Sequence, residues 1–134
     1  MRRAALGLIV ALGLLLAPPA SAQQPAADLG ALNGATMEAL TAGDTALALE
    51  RARAAVDAAR ALPDPDPVAV AYALNNLGYA LSLAADPQAA ALLDEAIAFA
   101  EQSGLTGTDP WYLAATNRAN LHVASGDIAS CVWA

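Results

Sequence analysis

The stretch Leu74-Asn75-Asn76-Leu77-Gly78-Tyr79-Ala80, closed by the turn Ala85-Asp86-Pro87 and followed by Leu93, Ala96, Ile97 and Ala100, decides how the rest of the chain is read. Val70, Leu74, Leu77 and Leu81 step by four, three and four residues, so they share one stripe of a helix. Leu93, Ala96, Ile97 and Ala100 mark a second stripe, and Asp86 can cap a helix opened by Pro87. The unit is a helical hairpin.

The same unit recurs on both sides with a period of 42 residues, and self-similarity at a fixed period is the signature of a repeat architecture. Leu32-Asn33 returns as Leu74-Asn75 and as Thr116-Asn117, and the turns Gly43-Asp44, Ala85-Asp86 and Gly126-Asp127 each end in an Asp ten or eleven residues after that Asn. Glu50-Arg51-Ala52 corresponds to Asp94-Glu95-Ala96 in the second helices. The connectors Pro63-Asp64-Pro65-Asp66-Pro67 and Gly104 to Pro110 both end in Asp-Pro, which suits a helix start because proline is tolerated in the first turn and breaks the interior. Alanine is abundant and β-branched residues are few, so helix is favoured throughout. The pattern predicts helices over 27–42, 45–61, 68–84, 88–103 and 111–125, then an aborted sixth. Its partner face would be missing, since the sequence reaches Cys131-Val132-Trp133-Ala134 soon after the third turn. A single hairpin cannot bury its stripe alone, whereas stacked hairpins share a continuous core.

The residues of the second unit, together with its turn and Ala96-Ile97, resemble a tetratricopeptide repeat. The 42-residue spacing, the recurring Asn and the Asp-Pro before the first helix are similar to the kinesin-light-chain variety. The first unit departs from the pattern with Ala35-Thr36 in place of Leu77-Gly78, and the third with Ala119-Asn120. The resemblance implies an all-α, right-handed solenoid of antiparallel helix hairpins, about two and a half repeats long, spanning residues 23–134.

Residues 1–22 read as a signal peptide. Arg2 and Arg3 provide the positive start, Leu6 to Ala17 the apolar run, and Ala20-Ser21-Ala22 the small residues of a cleavage site before Gln23. Twelve apolar residues reach roughly 18 Å as a helix, short of a bilayer core of about 30 Å, so an export signal is expected rather than stable membrane insertion. The expected location is periplasmic or secreted. After cleavage, thirteen Asp and Glu face four Arg and no Lys, a net charge of about −9. That balance argues against nucleic acid, which needs clustered cations. The single Cys131 allows no internal disulfide in an oxidising compartment.

Little in the sequence points to catalysis, and no enzyme activity or cofactor is expected. His122 is the sole histidine and lacks the spacing of a metal pair, Asp64 and Asp66 lack a calcium-loop pattern, and no glycine-rich phosphate loop occurs. Asn33, Asn75 and Asn117 stand out, one per unit at equal spacing. An amide both donates and accepts, so these residues suit the backbone of an extended ligand, or equally a neighbouring helix whose stacking angle they would set. The resemblance implies that first helices line a concave groove, with Tyr72 and Tyr79 beside the Asn ladder. The expected function is an exported adaptor that binds a peptide or protein segment. The alternatives are a small-molecule or glycan-binding repeat protein and the recognition arm of a larger enzyme.

Overall fold

The computed structural model describes residues 28–124 and Gly126. The expected signal peptide, the expected aborted sixth helix and Cys131 lie outside the described residues. Within them the chain is all-helical, with α1 (Leu29–Thr41), α2 (Thr45–Ala61), α3 (Pro67–Leu83), α4 (Ala89–Gln102) and α5 (Asp109–Ala124). Each boundary falls within two residues of the sequence expectation.

Aspartates start three of these helices. Asp28, Asp44 and Asp66 accept hydrogen bonds from the backbone N–H groups of Ala31, Leu47 and Val68 at 3.2, 3.0 and 3.1 Å, satisfying donors that the first turn leaves open. Asp66 is thus a helix cap, with Pro67 in the first helical position. At Asp86-Pro87 and Asp109-Pro110 the aspartate does not cap a helix opened by its proline. Asp86 accepts from Gln88 N–H at 2.9 Å and its carbonyl takes Ala89 N–H at 3.1 Å, so Pro87-Gln88 form a tight turn and α4 begins only at Ala89. Asp109 is itself the first residue of α5, because Thr108 C=O already accepts from Tyr112 N–H at 3.0 Å.

The helix ends explain the recurring turns. Gly43 N–H bonds Leu40 C=O and Asp44 N–H bonds Ala39 C=O, the double closure that requires a left-handed residue after the helix. Gly43 has φ 75°, and Gly126 repeats that value after α5. The second unit places Ala85 there instead, at φ 54°, with the same two bonds to Ser82 and Leu81. A Cβ in this region costs about 1–2 kcal/mol, and glycine's extra chain entropy returns about 0.5–1 kcal/mol of that. Ala85→Gly is therefore expected to stabilise the chain by about 0.5–1 kcal/mol and raise Tm by about 2–8 °C in a domain of this size. Thermal melts of Ala85→Gly and Gly43→Ala check it. A drop in Tm for the first, or none for the second, would contradict the left-handed turn.

A three-residue turn folds α1 back against α2 and a five-residue turn folds α3 back against α4, giving antiparallel hairpins. Each helix packs on the next, and the first helices α1, α3 and α5 also pack side by side. Helix α3 is central, with ten of its seventeen residues buried. The core is built largely of small side chains. Ala48, Ala52, Ala55 and Ala59 form the buried stripe of α2, and Ala89, Leu93, Ala96 and Ala100 form that of α4 at identical spacing. Leu93 is fully buried, and a Cβ on Gly78 would lie 2.7 Å from its side chain, so glycine is what lets α3 and α4 approach there. Thr36, 42 residues earlier, is fully buried as well, with its hydroxyl donating to Leu32 C=O at 2.9 Å.

On α5 several of the corresponding positions are exposed. Tyr112, Thr116 and Val123 stand 42 residues after Val70, Leu74 and Leu81, which are buried on α3, yet all three are exposed among the described residues.

Candidate functional site

The spacing of α1, α3 and α5 leaves a cleft of about 430 Å³ along their shared side. All five candidate residues read from the sequence line it: Asn33 from α1, Tyr72, Asn75 and Tyr79 from α3, and Asn117 from α5. Four further residues complete the wall. Gly34 and Met37 lie one residue and one turn after Asn33, Asn76 follows Asn75, and Leu113 lies one turn before Asn117. Helical spacing from the Asn positions was a signal for Met37 and Leu113. At Gly34 a Cβ would touch nothing, so the missing side chain leaves the cleft wider rather than serving a close contact.

The asparagines do not form a uniform row. Asn117 Nδ2 donates to Asn75 Oδ1 at 2.9 Å, joining α5 to α3 across 42 residues of sequence. Asn75, only 4 % exposed, points its own amide at Asn76 Oδ1 at a longer 3.4 Å. Asn33 instead donates to the backbone carbonyl of Ala69 at 2.9 Å, joining α1 to α3. Its Oδ1 is buried and has no hydrogen-bond partner. Each amide that reaches across thus fixes neighbouring first helices, and one acceptor is left over.

Tyr72 is half-buried, while Tyr79, Met37 and Leu113 are exposed. No residue of the lining carries a charge. The arrangement can make apolar contacts and neutral hydrogen bonds, and it brings together no carboxylate, imidazole or thiol.

The charged residues work elsewhere, between helices. Arg51 donates to Ala35 C=O at 2.7 Å and lies 3.8 Å from Glu38, tying α2 to α1. Arg60 pairs with Glu95 at 3.2 Å, bridging α2 and α4 beside a smaller cleft of about 210 Å³ on the other side of α3. Arg118 holds Asp94 at 2.7 Å and also meets His122 Nε2, which must accept because a guanidinium only donates. Trp111 Nε1 donates to Glu101 at 3.2 Å. Such exposed pairs orient helices more than they stabilise them. Among the described residues no group of three His, Cys, Asp or Glu could hold a metal ion, and no helix is long and apolar enough to cross a membrane.

Comparison with protein-family models, with curated proteins and with solved structures finds no match.

Proposed function

We propose that the chain is an exported, tetratricopeptide-like helical-repeat adaptor that holds an extended peptide or protein segment in the cleft between its first helices. One observation carries this reading. Three helices equivalent under the 42-residue repeat place their sole shared cleft-lining element, an Asn, beside two tyrosines, a methionine and a leucine. Tyrosine and methionine supply apolar area with adaptable geometry, a combination suited to a chain segment. The direct packing of α3 on α1 and on α5 favours a solenoid of hairpins over an unrelated bundle, and its right-handed sense is what the resemblance implies. Export rests on Arg2-Arg3, the apolar run and Ala20-Ser21-Ala22. The charge-free, hydrogen-bonding lining favours binding over catalysis.

The test uses the full chain expressed with its leader, recovered outside the cytoplasm with Gln23 as its first residue. That protein is immobilised and offered a displayed library of random heptapeptides, and enriched sequences are remade as fluorescent peptides. Tyr79→Ala is expected to weaken their binding at least about tenfold, the loss of one well-placed aromatic anchor, while Arg53→Ala on the exposed side of α2 leaves it unchanged. No enriched sequence, or equal effects of the two replacements, would remove the groove reading.

A further inference from the structure

Two rungs cross the seam between α4 and α5, and only one of them is balanced in charge. Asp94 and Glu101 lie seven residues apart on α4, and Arg118 and Trp111 lie seven apart on α5, so the antiparallel helices present these residues to one another in pairs. At the first rung Arg118 holds Asp94 at 2.7 Å. At the second, Glu101 receives the neutral Trp111 Nε1–H at 3.2 Å, and among the described residues it pairs with no arginine. A carboxylate offers about four lone-pair sites, so most of the accepting capacity of exposed Glu101 stays open.

The rings at this rung are a second, independent observation. Trp111 and Tyr112 meet edge to face, with centroids 5.0 Å apart and planes at 75°. Tyr112 is 56 % exposed, whereas Val70, its counterpart 42 residues earlier, is 8 % exposed, and Ala69 stands where Trp111 does. The first unit thus makes the same junction without aromatic side chains. Asp109, one turn before Tyr112 on the same side of α5, adds a second exposed carboxylate.

An open aromatic face beside carboxylates that lack a counter-charge attracts a cation, and a chain of net charge −7 draws one in from a distance. Guanidinium fits better than ammonium. It is planar and more weakly hydrated, so it can stack on a ring while its edge donates to a carboxylate.

We propose that Glu101, Trp111, Tyr112 and Asp109 form a docking corner for an arginine side chain of a partner polypeptide, its guanidinium stacked on Tyr112 and donating to Glu101. The incoming group supplies at the second rung the cation that Arg118 supplies at the first. None of the four residues lines the cleft between the first helices, so the corner is tested independently of peptide binding there.

The probe is acetyl-arginine amide, titrated into the chain carrying Trp133→Phe so that Trp111 is its only tryptophan. A saturable change in Trp111 emission is expected, with a weaker response to acetyl-lysine amide. Acetyl-citrulline amide, which keeps the shape of arginine without its charge, should give none. Tyr112→Leu and Glu101→Gln, the latter still able to accept the Trp111 N–H, should each weaken arginine binding about two- to fivefold, the size of one exposed cation–π contact or ion pair. Tyr112→Phe keeps the ring and should bind as the parent does. No saturable response, equal binding of the arginine and citrulline amides, or full affinity in Tyr112→Leu protein shown to be folded by its melting curve would overturn the proposal. A Trp111 signal that follows protein concentration with no probe present would assign the rings to a second copy of the chain and overturn it equally.

Discussion

Replacing Gly78 with Ala lowers stability by about 1–3 kcal/mol, although the same exchange in an ordinary helix interior raises it by about 0.5–1 kcal/mol. The sign is set by Leu93. An added Cβ would sit 2.7 Å from Leu93 Cγ and Cδ2 and 3.3 Å from Leu93 N, so rotating the side chain cannot clear the contact and α3 must move away from α4. Leu93 is fully buried, so it cannot swing out to solvent. Leu93→Ala alone is expected to cost about 2–5 kcal/mol, because it leaves a cavity in a core built mostly of alanine. The two replacements together should cost less than their sum by on the order of 1–3 kcal/mol, since the methyl group that Gly78→Ala adds enters the space that Leu93 vacates. Urea unfolding of the four proteins, followed by far-ultraviolet circular dichroism, measures the cycle. Additive losses, or a gain in stability for Gly78→Ala, would mean that the two helices do not approach as described.

The hairpins were legible because their signals are local. Asp caps, Asp-Pro starts and left-handed turn residues act within a few residues of sequence, and the period of 42 aligned them without reference to the fold. The residue at the turn after α3 shows the limit of such signals. Ala85 carries no mark of a left-handed conformation, and only its alignment with Gly43 and Gly126 indicated one. The start of α4 lies one residue after position 88, but the role of Pro87 differs for a related reason: an Asp-Pro pair reads the same whether a helix or a tight turn follows it, and the bond from Ala89 back to Asp86 selects the turn. Gly78 and Thr36 illustrate what spacing cannot convey. Both were visible as departures within an aligned position, but the need for Gly78 depends on the close approach of Leu93 from α4, which spacing within α3 does not convey.

The candidate site was legible in position and less so in bonding. Equal spacing placed Asn33, Asn75 and Asn117 on one side of three equivalent helices, where the cleft lies. It suggested equal roles, and those the structure does not assign. Bonding depends on the distance between helices, which the sequence does not state. Asn117 reaches Asn75, whereas Asn33 meets the carbonyl of Ala69 instead. Met37 and Leu113 were missed because a lone apolar residue on a helix reads as core, and exposure distinguishes them only once neighbouring helices are in place.

Asn75→Ala and Asn117→Ala are each expected to destabilise the chain by about 1–3 kcal/mol, with the larger loss for Asn117→Ala. The asymmetry follows from burial. Removing Asn117 strips the donor from Asn75 Oδ1, which is 4 % exposed and has little access to water, whereas removing Asn75 leaves a half-buried Asn117 that can turn toward solvent. Asn75→Ala also takes away the 3.4 Å contact to buried Asn76, but a bond that long contributes little. The double replacement should cost less than the sum by about 0.5–3 kcal/mol, since the bond joining α3 to α5 can be lost only once. At about 4–8 °C per kcal/mol, the shifts are resolved by thermal melts. A ladder whose amides serve only a ligand makes the opposite forecast, in which both proteins melt like the parent and bind the enriched peptides about five- to a hundredfold more weakly, on the order of one or two lost bonds. Equal melting temperatures would therefore assign Asn75 and Asn117 to the ligand, and a coupled loss of stability with unchanged peptide affinity assigns them to the stacking of the first helices.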